Sequence, residues 1–205
     1  MKVVDQDVQL MFITPDAAQL IERAGRICYK SEDKITTESG DKFVKMLLER
    51  GHESVIEHAY AMFHVRCDRG VSHEFVRHRI FSYSQESTRY CNYSKDKFGG
   101  EITVIKVPLT KPEKSAAIWE AANKAAEGYY FQMLEAGEPP EIARSVLPTD
   151  LKTELVGTAN FREWRHFLFM RTSPKAHPQM REVANAIGEI LYSHCPAVFA
   201  DRMGR

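Results

Sequence analysis

Residues 59–90 read AYAMFHVRCDRGVSHEFVRHRIFSYSQESTRY, and the spacing of apolar side chains changes twice along this stretch. Residues 59–67 alternate between apolar and mixed side chains, which is typical of a strand with one buried face. Residues 70–78 are predicted to be helical. Residues 80–94 are rich in serine and tyrosine without a period, and they are predicted to form an ordered loop. This stretch therefore combines a strand, a helix and a polar loop, so the fold contains both α and β elements.

Similar signals extend outward along the chain. Further strands are predicted at residues 8–12, 102–107 and 151–159, and helices are predicted to begin near Pro15, Asp41, Pro112, Pro140, Asn160 and Pro178. Thr14-Pro15-Asp16 predicts a helix with proline at its first position, and Gly51 predicts a helix end. Asn160 followed by Glu163 is a variant of the capping box and predicts a helix cap. No repeat or linker divides the sequence. The prediction is therefore one α+β domain over residues 1–205, with a mixed or antiparallel sheet flanked by helices.

Composition narrows the class of protein. The chain has 205 residues, of which 43% are hydrophobic, and its 28 Lys+Arg balance 28 Asp+Glu. These values are typical of a soluble globular protein and speak against binding to nucleic acid. The first residues lack the pattern of a secretory signal, and no apolar run approaches the ~20 residues of a membrane helix. We therefore expect a cytoplasmic protein with reduced cysteines and no membrane partner.

The densest polar cluster lies at residues 77–90. Three arginines and one histidine are combined there with serine, threonine and tyrosine hydroxyls. Guanidinium groups form bidentate bonds to phosphate or carboxylate, so this composition suits an anion site as well as it suits a solvated basic turn. Tyr83 and Tyr90 speak against the solvated turn, because their rings need a surface to pack on. No glycine-rich phosphate loop is present, so arginine side chains must hold any phosphate. Arg144 and Arg171, each near the end of a predicted helix, are further candidates, although a cation there also suits the helix dipole.

Metal binding and nucleophilic catalysis have weaker signals. His52 and His58 are six residues apart, whereas a zinc-protease helix needs histidines at i and i+4, so no metal site is predicted. Ser87 is not in a GxSxG turn. The four cysteines are far apart in sequence and lack a nucleophile signature, which favours buried thiols.

One long motif resembles a known family. Arg77-His78-Arg79, then seven residues, then Ser87 and Arg89-Tyr90 closely resembles the signature of the flavin-dependent thymidylate synthases. Further segments resemble that family in the same order, and together the matches span about residues 51–182. These segments are residues 51–58, residues 144–148 and the stretch from Asn160 to Arg171.

The resemblance implies a fold and an activity. It implies reductive methylation of dUMP to dTMP, with 5,10-methylenetetrahydrofolate as carbon donor, NADPH as reductant, FAD as hydride carrier and tetrahydrofolate as the released product. It also implies a homotetramer of α+β subunits whose flavin and dUMP sites are shared between subunits. No catalytic cysteine is expected in this family.

The resemblance also implies site residues. The implied cofactor-binding residues are Ser54, Glu57, Arg77, His78, Arg79, Asn160, Arg162, His166 and His177. The implied substrate-binding residues are Glu74, Arg77, Gln85, Glu86, Ser87, Thr88, Arg89, Arg144 and Arg171. Arg171 and His52 are the implied catalytic residues, Arg171 because a guanidinium against the uracil favours loss of the N3 proton.

Three positions depart from the family's commonest pattern. Ser84 stands where asparagine is frequent, Thr88 where glycine is frequent, and His166 where asparagine is frequent. Because histidine titrates near neutrality, His166 is the departure that most affects the expected pH response.

Two alternatives remain open from the sequence. One is a C5-methylase of the same fold that acts on UMP or another pyrimidine nucleotide. The other is an RNA-binding module that uses the arginine and tyrosine loop to hold the backbone and stack bases. The zero formal net charge speaks against the RNA-binding module.

Overall fold

The computed structural model describes residues 1–204. Within them, the strands are β1 (Lys2–Val4), β2 (Asp7–Ile13), β3 (Tyr60–Asp68), β4 (Ser82–Gln85), β5 (Thr103–Ile105) and β6 (Lys152–Asn160). The α-helices are α1 (Ala17–Ile27), α2 (Ser39–Glu49), α3 (Arg69–Phe75), α4 (Pro112–Glu135), α5 (Pro140–Ala143), α6 (Phe161–Arg171), α7 (Pro178–His194) and α8 (Pro196–Phe199). Short 3-10 helices include Glu53–His58 and Ala200–Met203.

The strands form two sheets. A four-stranded sheet has the order β2-β3-β6-β4, and β1 pairs in parallel with β5 in a two-stranded sheet. In β3, Ala61, Phe63, Val65 and Cys67 are completely buried, as their alternation predicts. The predicted α+β class is confirmed.

The chain divides into two compact units. The first comprises Met1–Asp7, Val65–Arg77 and Ser84–Leu155, and its core includes Tyr93, Ile102, Val104, Tyr130, Ala143 and Leu151. The second comprises Val8–His64, His78–Tyr83 and Val156–Arg205. In the second unit Trp164 packs edge-on against Phe63, with ring centroids 5.0 Å apart, and its indole N–H donates to the Ala61 carbonyl at 3.0 Å. The predicted single domain stays a prediction.

Local sequence determines the end of α2. The Gly51 N–H donates to the Leu48 carbonyl at 3.0 Å, and the His52 N–H donates to the Leu47 carbonyl at 2.9 Å. This is a Schellman motif, and it requires the left-handed backbone that Gly51 adopts with φ +73°. Gly51 thus ends the helix at the predicted position.

Two local predictions are wrong. Pro15 is not the first residue of α1, because Asp16 adopts a left-handed conformation with φ 47° and the helix begins at Ala17. The segment predicted as a loop contains the strand β4. Its residues Ser82–Gln85 are partly exposed and lack the hydrophobic alternation that would have revealed a strand.

Among residues 1–204, no helix is long and apolar enough to cross a membrane.

Candidate active site

A cavity of about 490 Å³ opens in the second unit. It lies along α6 and the 3-10 helix Glu53–His58, and residues from the C-terminal 3-10 helix also line it. The lining residues are Glu53, Glu57, Ile80, Asn160, Arg162, Glu163, Arg165, His166, Phe169 and Arg202. Cations, carboxylates and apolar surface therefore meet in one concave site, which is the composition of a pocket for a charged aromatic ligand.

The sequence of α6 positions most of this cavity. Asn160 caps the helix, because its side-chain oxygen accepts the Glu163 N–H at 2.9 Å. The exposed residues Arg162, His166 and Phe169 follow the i, i+4, i+7 spacing of one helical face. The cap that the sequence predicts thus fixes where this polar and aromatic face begins.

Exchangeable ion pairs line one side of the cavity. Arg162 Nη1 lies 2.6 Å from Glu57 Oε1, and Arg162 Nε lies 3.6 Å from Glu53 Oε2. The Arg162 side chain is 51% exposed and the Glu57 side chain 42%, so solvent screens the pair and it contributes little to stability. Such an arginine can change partner and bind an anionic ligand at low cost.

Arg165 and Arg202 form a more rigid wall. Arg165 is buried and makes a bidentate pair with Asp201, at 2.5 and 2.8 Å, and it also donates to the Val198 carbonyl. The Arg202 guanidinium lies over the Phe169 ring, 5.6 Å from its centroid. The Nε atoms of Arg165 and Arg202 are buried without a hydrogen-bond partner among the described residues. Arg165 is thus held in place by Asp201, and Arg202 packs on the Phe169 ring.

A buried histidine contacts Arg171 in the same unit. Arg171 Nε donates to His78 Nε2 at 3.0 Å, and His78 Nδ1 lies 3.5 Å from Glu163 Oε1. Burial, then the charges of Arg171 and His166, lower the pKa of His78 from 6.5 to about 4. His78 is therefore neutral near pH 7, which it must be to accept a bond from a guanidinium.

Aromatic side chains enclose this histidine. Its ring centroid lies 5.0 Å from that of Phe167, and the Tyr83 hydroxyl donates to the His78 carbonyl at 2.9 Å. Tyr83 in turn stacks on Phe81, with an interplanar angle of 7°. Burial is the main cause that raises the pKa of Tyr83, so its hydroxyl remains a donor.

Three side chains here are close enough to share a metal ion. Ligand atoms of His78, Glu163 and His166 lie within 4.8 Å of one another. The Arg171 guanidinium on His78 Nε2 would repel a cation, however. This geometry favours a hydrogen-bonded network, and the absence of a resident metal stays a prediction.

The first unit brings together part of the predicted substrate group. Arg144 Nη1 donates to the Thr88 hydroxyl at 3.0 Å, and both residues line a cavity of about 290 Å³ that also contains Arg69 and His73. Arg89 pairs with Glu141 at 3.2 Å, with both side chains about half exposed. These arginines have partners that an anion can replace.

Gln85 and Glu86 have internal partners in the first unit. Glu86 accepts from Lys152 Nζ at 2.9 Å and from the Tyr93 hydroxyl at 3.2 Å. Gln85 Nε2 donates to the Ser72 hydroxyl at 3.0 Å. Neither residue lines the Arg144 cavity in this structure, and their role in binding substrate stays a prediction.

Comparison with known proteins identifies the family. The model of the thymidylate synthase complementing protein family matches residues 9–197. The chain belongs to the flavin-dependent thymidylate synthase family. It is 32% identical over 201 residues to a flavin-dependent thymidylate synthase of Geobacter sulfurreducens, covering 95% of this chain and 85% of that protein. It is 35% identical over 206 residues to the protein of that name from Mycobacterium sp. (strain JLS), covering 90% and 79% respectively.

The predicted residues of this flavin-dependent synthase divide into two groups. Glu57, Asn160, Arg162 and His166 line the cavity of the second unit, and His78 contacts Arg171 there. The predicted residues of the second unit that do not line that cavity are His52, Ser54, His78, Arg79, Arg171 and His177. Thr88 and Arg144 line the smaller cavity, whereas Glu74, Arg77, Ser87 and Arg89 of the first unit do not.

Sequence reasoning missed six lining residues of the flavin-dependent synthase cavity. They are Glu53, Ile80, Glu163, Arg165, Phe169 and Arg202. Glu163 had a signal, since it follows Asn160 at the third position of a predicted capping motif. Arg165 and Arg202 had none, because their places depend on contacts with Asp201 and Phe169 that only the tertiary structure brings about.

Proposed function

We propose that the chain methylates dUMP to dTMP, with 5,10-methylenetetrahydrofolate as carbon donor, NADPH as reductant and FAD as hydride carrier. The methylene carbon bonds to C5 of the pyrimidine, its bond to the folate nitrogen breaks and the C5 proton leaves, so that tetrahydrofolate is released. A hydride that originates from NADPH then reduces the exocyclic methylene to the methyl group of dTMP. Membership of the family supports this proposal. The observation that carries it is the cavity on α6, where three arginines and exposed aromatic surface lie beside a buried histidine bonded to Arg171.

The residues of the cavity fit a flavin nucleotide. Arg162, Arg165 and Arg202 offer guanidinium donors for anionic oxygens, and two buried Nε atoms have no hydrogen-bond partner among the described residues. Phe169 is 63% exposed and Ile80 is 73% exposed, which gives a planar ring system apolar surface to pack on. We propose that Asn160, Arg162, His166 and His78 hold the flavin, with Ser54, Glu57, Arg77, Arg79 and His177 as further contacts. When bound, the flavin supplies the hydride chemistry that amino-acid side chains lack.

Arg171 is the proposed activating group. A guanidinium against the uracil stabilises the anion that forms on loss of the N3 proton, and this makes C5 more nucleophilic. His52 is proposed to lie near the reacting ring. The proposed route uses no enzyme nucleophile, and burial raises the pKa of the Cys67 thiol to about 12 and of the Cys195 thiol to about 11, which disfavours thiolate chemistry at either one.

The nucleotide is proposed to bind through the remaining predicted residues. Arg77, Arg89 and Arg144 would hold the phosphate and other anionic edges, with Thr88 and Ser87 supplying hydroxyl groups. Glu74, Gln85 and Glu86 complete this proposed set. We also propose that the active enzyme is a cytoplasmic homotetramer whose subunits share the sites.

A turnover assay tests this function. Purified protein is incubated with FAD, NADPH, methylenetetrahydrofolate and either dUMP or UMP, and the product nucleotide is measured by mass spectrometry. Formation of dTMP in preference to the ribonucleotide product supports the proposal. Methylation of UMP alone, or no methylation together with salt-sensitive RNA binding, contradicts it.

Substitution of Arg171 tests the mechanism in the same assay. Arg171→Ala is expected to lower kcat by at least about a hundredfold, as loss of a preorganised donor does in other enzymes. Arg171→Lys should not restore turnover, because an ammonium lacks the planar pair of donors. Bound flavin should be largely retained in both variants, and full activity of Arg171→Ala contradicts the mechanism.

A further inference from the structure

Glu163, His78 and Arg171 form a row of polar side chains in the second unit. Arg171 Nε lies 3.0 Å from one ring nitrogen of His78, and Glu163 Oε1 lies 3.5 Å from the other. Glu163 is 8% exposed and His78 is 6% exposed. Because water has little access to these groups, each depends on the next for its hydrogen-bonding geometry.

The donors in this row have a fixed direction. A guanidinium only donates, so His78 Nε2 must accept with its lone pair. A neutral imidazole with a lone pair on Nε2 carries its proton on Nδ1. Glu163 Oε1 lies 3.5 Å from Nδ1, so the carboxylate is placed to stabilise this tautomer electrostatically.

We propose that Glu163 is a positioning residue that holds His78 in its Nδ1-protonated tautomer, so that His78 Nε2 orients the Arg171 guanidinium. The catalytic consequence rests on the proposed function of Arg171, whereas the tautomer does not. Nothing in the capping role of Glu163 requires this contact, since the cap uses its backbone N–H.

The surroundings of Glu163 suit this role. The residue lies in the first turn of α6, where the helix dipole favours a carboxylate. Burial raises the pKa of its carboxyl, and His166 opposes that rise. The other titratable and charged groups that face His78 are Arg171, His166 and Tyr83, whose hydroxyl donates to the His78 carbonyl.

Protonation of His78 would break the row. Nε2 would then become a donor facing the Arg171 guanidinium, and two like charges would be adjacent. Burial and the charges of Arg171 and His166 keep the pKa of His78 near 4, so the row is intact at neutral pH. The row thus aligns Arg171 over the pH range in which the enzyme is expected to work.

Nitrogen NMR on the flavin-free protein tests the tautomer directly. The ring-nitrogen resonances of His78 are identified by their loss in His78→Gln, and the side-chain N–H resonance of Arg171 by its loss in Arg171→Lys.

The wild type should show the proton on Nδ1 of His78. The control Glu49→Gln, which changes an exposed carboxylate at the end of α2, should show the same tautomer. Glu163→Ala should give a mixture of tautomers and shift the Arg171 resonance. Glu163→Gln, which keeps an acceptor oxygen, should restore most of the original tautomer.

Kinetics supply the second readout. Glu163→Ala is expected to lower kcat about tenfold through misalignment of Arg171, with KM for dUMP changed less than about twofold and flavin retained. Where Glu163→Ala does not fold, Glu163→Met removes the same oxygen at similar volume and must give the same tautomer change.

Either of two results overturns the proposal. One is a wild-type His78 protonated on Nε2 at neutral pH. The other is a Glu163→Ala protein with an unchanged His78 tautomer and Arg171 resonance. A wild type that shows the expected tautomer but does not methylate dUMP overturns the proposed function, while the tautomer still supports positioning by Glu163.

Discussion

At the scale of single residues, His78 links protonation to stability. Its pKa is about 4 in the folded protein and 6.5 as the ordinary value, so below pH 6.5 the unfolded chain binds a proton that the folded chain excludes. The free energy of unfolding should therefore fall as the pH decreases from 6.5 towards 4. Denaturant titrations of the flavin-free protein across this pH range measure how the free energy of unfolding changes with pH.

His78→Gln should flatten that pH dependence, because the substituted side chain does not titrate. His73→Gln is the matched control, since His73 is exposed on α3 and its replacement should leave the wild-type slope. If the free energy of unfolding depends on pH equally in the wild type and in His78→Gln, then His78 is not a buried histidine that stays neutral in the folded protein.

Arg162 offers a second test at this scale. Its pair with Glu57 is exposed, so Arg162→Ala should change the free energy of unfolding by less than about 0.5 kcal/mol. Flavin affinity should fall about tenfold or more, since a hydrogen bond to a charged group contributes roughly 1.5–3 kcal/mol. Equilibrium titration with FAD measures the loss.

Lys124→Ala is the control for Arg162→Ala. Lys124 forms a similar exposed pair with Glu120 on α4, at 2.6 Å, but that pair does not line the cavity on α6. Flavin affinity should stay at the wild-type value in Lys124→Ala. A comparable loss in both variants contradicts a specific role for Arg162.

Residue types in sequence predicted only part of the candidate site. Asn160, Arg162 and His166 are implied by the family resemblance, and the structure places Arg162 and His166 on one exposed face of the helix that Asn160 caps. The role of Glu86 in binding substrate stays a prediction, and its contact with Lys152 joins residues 66 positions apart in sequence. The identity of a charged residue in a motif is the same whether its side chain binds a ligand or a neighbouring side chain. Sequence alone therefore does not separate these two roles.

At the scale of elements, the end of α2 rests on Gly51. Its φ of +73° is strained for a residue with a Cβ, although no atom lies within 4 Å of the added carbon. Gly51→Ala should therefore destabilise the protein by about 1 kcal/mol.

Gly128 in α4 has similar open space around it but does not have a positive φ, so Gly128→Ala should stabilise the protein by roughly 0.5–1 kcal/mol. Thermal unfolding of both variants tests this contrast, and equal effects contradict it.

Element prediction succeeded where the local signal was strong. β3 has a strict alternation of buried side chains, and α6 has a side-chain cap. β4 was missed because its four residues have no buried face and depend on pairing within the sheet. The start of α1 was misplaced because proline favours a first helical turn without dictating one, and Asp16 adopts a left-handed backbone instead.

At the scale of the whole molecule, family membership and the cavity on α6 support the same account. The α+β class followed from local periodicity, whereas the burial of His78 beside Arg171 depends on contacts 93 residues apart in sequence. The homotetramer and the sharing of sites between subunits stay proposals, because side-chain patterns of one chain do not specify its assembly.

The visible absorption spectrum of the purified protein, recorded after addition of FAD and desalting, shows whether this chain binds a flavin that takes part in the reaction. We expect a retained two-banded flavin spectrum that NADPH bleaches without oxygen and that dUMP perturbs. A colourless protein that cannot retain FAD would contradict the account, and the arginine-lined cavity would then need another ligand.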